Sequence, residues 1–135
     1  MVEYIVDVQG FYDTDQSFIV KEFAIANLNQ EDDIKSVVFK PPCAMSTLSS
    51  ACKLTNNWLT NNHHGLLWNS GDVDYAEHGK IINDSLESSI YVYVKGHEKK
   101  KWLSNILKDD KTIIDLIDMD CPAHGKLPTK IMYKN

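Results

Sequence analysis

The sequence has no apolar run long enough to cross a membrane. A membrane-spanning helix needs roughly 20 consecutive apolar residues, and no segment approaches that length. The chain also starts with MVEYIVDVQG, in which Glu3 and Asp7 stand in place of the basic stretch and long apolar segment of a secretion signal. We therefore expect an intracellular protein, either cytoplasmic or nuclear.

Cysteine is also scarce. The three cysteines, Cys43, Cys52 and Cys121, cannot all pair with one another, and a domain of this length does not need disulfides for stability. Cys121 and His124 have the spacing of half a tetrahedral zinc site, but a second half with clear spacing is absent from the sequence. Reduced thiols and no structural zinc are therefore the expectation.

Signals of two common enzyme classes are missing as well. The sequence has no Gly-x-Ser-x-Gly segment of a nucleophilic hydrolase and no Gly-rich phosphate-binding loop. The net charge of −5 argues against a protein that wraps a phosphate backbone non-specifically, because such proteins cluster Lys and Arg. A local basic site is still compatible with this charge.

Repeats, low-complexity tracts and linkers rich in Gly or Ser are absent from the 135 residues, of which 43% are apolar. A chain of this length and composition can form one compact core and is too short for two ordinary domains. We therefore predict a single domain over residues 1–135.

The first 40 residues have the alternation and the β-branched residues that are typical of strands. Short connections separate three such runs, at 2–8, 18–25 and 36–40, which predicts three antiparallel strands. Pro41 and Pro42 end the third strand, because proline cannot donate a hydrogen bond to a β-ladder.

Apolar residues then recur at helical spacing. A second helix is predicted to begin near Asp74, and a strand at 90–94, a helix containing Trp102 and Leu103 and a strand at 112–116 follow. Helices between the later strands require crossover connections, so we expect the last two strands to be parallel. The apolar stripe of the first helix, which we expect to pack on the sheet, comprises Leu48, Ala51, Cys52, Trp58 and Leu59.

Four features occur in an order that a known family shares: Asp7 in a strand, His64-Gly65-Leu66 after the first helix, the strand and helix over 90–103, and the strand at 112–116. Over most of its length the chain resembles the ribonuclease H-like 3′–5′ exonucleases that use four acidic (DEDD-type) residues. The resemblance implies an α/β, ribonuclease H-like three-layer fold, whose mixed five-stranded sheet has three antiparallel strands, then two parallel ones. It also implies a site for two Mg²⁺ or Mn²⁺ ions.

The acidic residues of that family are only partly present. Asp7 matches the first, but Gln9 stands where a second carboxylate is usual. The register of the helix after 94 places Lys99 at the position of the next acid, with Glu98 beside it, and the family's last motif has no counterpart before residue 135. The resemblance leaves Asp7, Glu98 and Asp115 as candidate catalytic residues, with Asp7 and Asp115 as metal ligands if the site is active.

One segment concentrates basic residues at a strand end, where a nuclease-like fold would hold its substrate. Lysine binds phosphate as a point charge, and a nearby aromatic side chain can stack on a base, so single-stranded nucleic acid is a candidate ligand. A solvated helix face is the alternative. The candidate nucleic-acid-binding residues are Lys95, Lys99, Lys100, Lys101 and His64.

We therefore expect an exonuclease-like domain with a degenerate active site, a pseudoenzyme that binds single-stranded nucleic acid or a protein partner without cutting. One alternative is an active metal-dependent 3′–5′ exonuclease or ribonuclease, completed by a segment beyond residue 135. Another is a structural or assembly module. Mg²⁺ or Mn²⁺ is expected only for the active alternative, and no membrane partner is expected.

Overall fold

The computed structural model describes residues 2–30, 33–109 and 111–119. No helix within these ranges is both long enough and apolar enough to cross a membrane. The strands are β1 (Val2–Tyr12), β2 (Phe18–Asn27), β3 (Ile34–Val38), β4 (Ser89–Val94) and β5 (Thr112–Asp115). The α-helices are α1 (Ser50–Asn62), α2 (His78–Ser85) and α3 (His97–Ile106), and short 3₁₀ helices lie at Met45–Thr47, Tyr75–Glu77 and Leu116–Met119.

The strands form one five-stranded sheet in the order β3-β2-β1-β4-β5. β1 pairs in parallel with β4, and β4 pairs in parallel with β5. β1, β2 and β3 are sequential neighbours joined by short connections, which is the antiparallel arrangement of hairpins. The prediction of an α/β fold with a mixed five-stranded sheet is therefore confirmed.

β1 extends further than the sequence suggested. It continues past Asp7 to Tyr12 and includes Gly10, a residue type that weakens the interior of a strand. A Cβ atom at Gly10 would collide with the carbonyl oxygen of Ile19 and the ring of Phe18 in β2. Glycine is therefore required here because the two strands approach too closely for any side chain.

The chain divides into two compact units, which we name after their longest helices. The α1 unit comprises Val8–Ala24 and Ser36–Ile82, and the α3 unit comprises the rest of the described chain. In the α1 unit the indole nitrogen of Trp68 donates a 3.0 Å hydrogen bond to the carbonyl of Cys43. One buried hydrophobic cluster of the α1 unit consists of Phe11, Ile19, Leu48, Cys52 and Trp68.

The predicted apolar stripe of α1 is wrong at two positions. Ala51 is exposed and Trp58 is 58% exposed, whereas Asn56, one turn after the buried Cys52, is fully buried. The Asn56 amide accepts a 2.9 Å hydrogen bond from the backbone N–H of Tyr12 and donates one of 2.9 Å to its carbonyl. A polar residue occupies the inner face because it satisfies the backbone at the end of β1.

A lysine is also buried in the α1 unit. Lys21 on β2 is only 2% exposed, and its ammonium donates to the carbonyl oxygens of Trp68 and Ser70. Burial lowers the pKa of Lys21 to about 8, because the charged form loses its hydration. The two carbonyls hold the segment around residues 68–70 against β2.

In the α3 unit, α3 packs against β5 and buries Leu103. The side chain of Asn83, which lies in α2, holds the C-terminal end of α3. Its amide nitrogen donates to the carbonyl of Ile106 (3.0 Å), and its amide oxygen accepts from the N–H of Lys108 (2.8 Å). These bonds satisfy backbone groups that the end of a helix leaves without partners.

We predict that Asn56→Ala destabilises the protein by about 2–4 kcal/mol, because two backbone groups of Tyr12 lose their partners and a buried amide leaves a cavity. Urea denaturation measures the change. Asn57→Ala is the matched control, since Asn57 is exposed on the same helix and its replacement should change stability by less than about 0.5 kcal/mol. Equal effects of the two substitutions would contradict the role of Asn56.

The lowered pKa of Lys21 predicts that the stability of the protein depends on pH. An unfolded lysine keeps its proton up to about pH 10.5 whereas folded Lys21 releases it near 8, so the unfolded state binds more protons between these values. Stability therefore rises with pH in that window, by as much as about 1.4 kcal/mol per unit. The unfolding free energy of the wild type, minus that of Lys21→Met, should increase between about pH 8 and 9.5.

Lys40→Met serves as the control for Lys21, because the Lys40 side chain is 54% exposed. Its stability difference from the wild type should stay flat over the same pH range. A flat difference for Lys21→Met as well would show that Lys21 is not held in a desolvated position.

Candidate nucleic-acid interface

The basic segment, Lys95–Lys101, joins β4 to α3 in the α3 unit. Gly96 forms the turn between them with a φ of 115°, a backbone conformation that side chains other than glycine rarely adopt. The carbonyl of Gly96 then accepts the hydrogen bond from Lys100 N–H that closes the first turn of α3. The lysines are therefore placed by a glycine-dependent turn directly after a strand.

Asp115 holds this turn in place. It is the last residue of β5 and lies opposite Val94 of β4. Its carboxylate oxygen Oδ1 accepts from the N–H of Gly96 (2.9 Å) and from that of Ile117 (3.0 Å). Asp115 is only 3% exposed. This predicted catalytic residue is thus a buried acceptor that connects the β4–α3 turn with the 3₁₀ helix after β5.

Asp7 and Lys99 form an ion pair. The Lys99 ammonium lies 2.6 Å from a carboxylate oxygen of Asp7, and the two side chains are 32% and 56% exposed. The resemblance to the four-acid exonucleases implies an acidic residue at the position of Lys99. In the structure the lysine reaches the first acid of the predicted set. A cation supplied by the chain itself therefore neutralises Asp7.

The candidate carboxylates differ in their partners and exposure. Among the described residues, no group of three His, Cys, Asp or Glu side chains lies close enough to hold a metal ion. Asp7 is bonded to an ammonium, and Asp115 already accepts two backbone hydrogen bonds. Glu98 is exposed in the first turn of α3. The zinc half-site considered at Cys121 and His124 lies outside the described residues.

The remaining lysines of the basic segment differ in exposure. Lys101 is exposed and Lys100 is half-buried. The ammonium nitrogen of Lys95 is buried and has no hydrogen-bond partner within the part of the chain that the structure describes, although the residue as a whole is only partly buried. The segment therefore combines accessible charge with one ammonium whose charge is uncompensated.

His64, the other predicted nucleic-acid-binding residue, lies in the α1 unit. Its Nδ1 accepts a 3.0 Å hydrogen bond from the N–H of Leu66, so the proton is on Nε2, which donates to the carbonyl of Gly10 at 2.9 Å. Burial lowers the pKa of His64, and its ring packs edge-on against Phe11 at 4.9 Å. Both nitrogens are thus used within the fold.

Two properties of this site were missed by reasoning from sequence. The hydrogen bonds by which Asp115 holds the turn depend on where its carboxylate lies relative to the N–H groups of Gly96 and Ile117, which the predicted pairing of the last two strands does not reveal. The burial of the Lys95 ammonium was also missed. A usable signal was the alternation of Tyr91, Tyr93 and Lys95, which places Lys95 on the same sheet face as two half-buried aromatic residues.

We predict a small coupling between Asp7 and Lys99. A double-mutant cycle with Asp7→Asn and Lys99→Met should give about 0.2–1 kcal/mol, falling as salt is added, because both side chains are partly exposed. Urea denaturation of the four proteins measures it. The control pair, Lys40 and Asp74, is 3.7 Å apart and more exposed, and its coupling should be near zero. A coupling no larger than the control's would mean that the pair does not form in solution.

No known protein family matches the chain, and no curated protein is significantly similar to it. The chemical groups of the site itself therefore indicate what it can do. These are a carboxylate neutralised by a lysine of the same chain, a buried carboxylate that holds a turn, and two further lysines at the start of a helix.

Proposed function

We propose that this chain is a divergent ribonuclease H-like domain that binds single-stranded nucleic acid through the basic segment and does not cut it. The observation that carries the proposal is the 2.6 Å contact between the Lys99 ammonium and Asp7. In a two-metal nuclease, a carboxylate at this position would hold a divalent ion. An ammonium supplies positive charge but has no coordination position for water or phosphate, so it does not provide the chemistry of that ion.

The sheet supports the ribonuclease H-like part of the proposal. Three sequential strands stand on one side, and β4 and β5 are added in parallel beyond β1. This is the order of antiparallel and parallel strands that the resemblance implied. Fold alone does not supply an activity, so the functional part of the proposal rests on the charges of the site.

The size of the basic segment favours a short nucleic-acid footprint. α3 has ten residues, which corresponds to about 15 Å of helix. Its lysines therefore contact only a few phosphates, and the net charge of −5 opposes wrapping of a long duplex. A short single-stranded segment suits such a site, with an affinity that depends strongly on salt.

We predict that the triple variant Lys99→Gln, Lys100→Gln, Lys101→Gln binds single-stranded RNA and DNA more weakly than the wild type. The slope of log affinity against log salt should fall by about 1.4, since Lys100 and Lys101 each contribute about 0.7 as phosphate contacts on a single strand, whereas Lys99 is paired with Asp7. Fluorescence anisotropy with labelled oligonucleotides at several salt concentrations measures both quantities.

The matched control removes three lysines elsewhere, by Lys35→Gln, Lys40→Gln and Lys53→Gln, and changes the net charge equally. If both triple variants bind alike, the basic segment is not the interface. If the wild type does not bind oligonucleotides, a protein partner becomes the better hypothesis, because Leu54 and Trp58 of α1 are 72% and 58% exposed.

The prediction that the protein does not cleave nucleic acid is tested with end-labelled single-stranded RNA and DNA in the presence of Mg²⁺ or Mn²⁺. We expect no cleavage that differs between the wild type and Asp7→Asn prepared identically. Cleavage that Asp7→Asn abolishes would reject the non-catalytic proposal in favour of an active nuclease.

A further inference from the structure

The ammonium of Lys95 is buried, and none of the residues that the structure describes forms a hydrogen bond with it. Withdrawing an ammonium from water costs several kcal/mol unless an anion or several acceptors compensate it. Lys21 in the α1 unit shows how the same chain compensates a buried lysine, with two carbonyl oxygens. No described residue compensates Lys95 in this way, so an anion that the Lys95 side chain reached would supply the missing partner.

The alternation of side chains along β4 decides which acidic residue Lys95 faces. Lys95 follows Tyr93 by two residues and projects to the same face, whereas Val94 projects to the other. Val94 lies opposite Asp115, so the Asp115 side chain is on the face away from Lys95. It cannot act as the partner of Lys95.

Asp7 lies on the same face as Lys95. Ile5 pairs with Tyr93, and continuing this parallel register by two residues brings Asp7 beside Lys95. The Asp7 carboxylate, however, is already 2.6 Å from the Lys99 ammonium. No hydrogen bond within the described residues joins the Lys95 ammonium to that carboxylate, so Asp7 compensates Lys99 and leaves Lys95 without a partner.

We propose that Lys95 binds a phosphate group, and this inference rests on the proposed nucleic-acid function. Phosphate oxygens accept charge-assisted hydrogen bonds from an ammonium. The four-carbon stem of lysine has enough rotational freedom for the partly buried residue to turn its ammonium toward an incoming anion. Lys99 has a positioning role, because it neutralises Asp7, which would otherwise repel the phosphate.

The first test is thermal unfolding of the wild type and of Lys95→Met with and without inorganic phosphate, against chloride at equal ionic strength. Without phosphate, Lys95→Met should be at least as stable as the wild type, because it removes an unpaired buried charge. At ten times the dissociation constant, phosphate should raise the melting temperature of the wild type by about 3–6 °C more than that of the variant.

Lys101→Met is the matched control, because Lys101 is an exposed lysine of the same segment, and it should keep the phosphate-dependent shift of the wild type. Lys95→Gln replaces Lys95→Met if the latter does not fold. Equal phosphate shifts in the wild type and the Lys95 variant, or no shift in the wild type, would overturn the inference.

The second test identifies the source of the phosphate and separates this inference from the proposed function. Oligonucleotides with a 5′-phosphate, a 3′-phosphate or hydroxyl ends are compared for binding. If the wild type prefers a phosphorylated end and Lys95→Met loses this preference, Lys95 binds a terminal phosphate. If Lys95→Met binds all three oligonucleotides more weakly by the same factor, Lys95 binds an internal phosphodiester.

Unchanged oligonucleotide binding by Lys95→Met rejects Lys95 as the phosphate ligand. A phosphate shift without any oligonucleotide binding keeps the phosphate site and rejects the nucleic-acid function.

Discussion

The position of β1 in the middle of the sheet determines how the neighbouring strands and the basic segment are placed. β2 and β4 flank it, β4 pairs with residues 2–5, and the side chains of Asn56 and His64 satisfy backbone groups of Tyr12 and Gly10 near its end. A shift of one residue would turn its buried side chains toward the opposite face. The register that places Ile5 opposite Tyr93 therefore also fixes where β4 ends and where the turn to α3 begins. The placement of the lysines relative to Asp7 follows from strand pairing.

A lysine and a divalent metal ion can both neutralise a carboxylate such as Asp7, but they differ in the chemistry that they supply. A divalent ion between carboxylates neutralises them and also binds the substrate and activates water. A lysine ammonium neutralises a carboxylate but donates hydrogen bonds only, and it cannot accept a lone pair from water. A site organised in this way retains an ordered arrangement of charges without a metal ion. On the proposed function, binding persists because the groups that attract an anion do not depend on a metal.

The strands and helices could be predicted because their periodicity and their Pro and Gly boundaries are local properties. The buried polar residues could not be predicted. Asn56 is bonded to Tyr12, 44 residues away, and Lys21 to the carbonyl of Trp68, 47 residues away, and nothing in the neighbouring sequence marks them as buried. Asn56 occupies the inner face of α1, and Trp58 is exposed. At the candidate site, comparison with the exonucleases drew attention to Lys99, but its contact with Asp7 depends on the pairing of β1 with β4.

The ion pair between Asp7 and Lys99 joins residues that are 92 positions apart in the sequence. Contacts of such high sequence separation form only after a long loop has closed, and parallel pairing of β1 with β4 has the same requirement. The interface is therefore a product of the complete α3 unit and not of its helix alone. A peptide carrying only the lysines of α3 would have their charge but would lack the neutralised carboxylate and the carboxylate-held turn. On the proposed function, recognition at this surface is thus coupled to long-range folding.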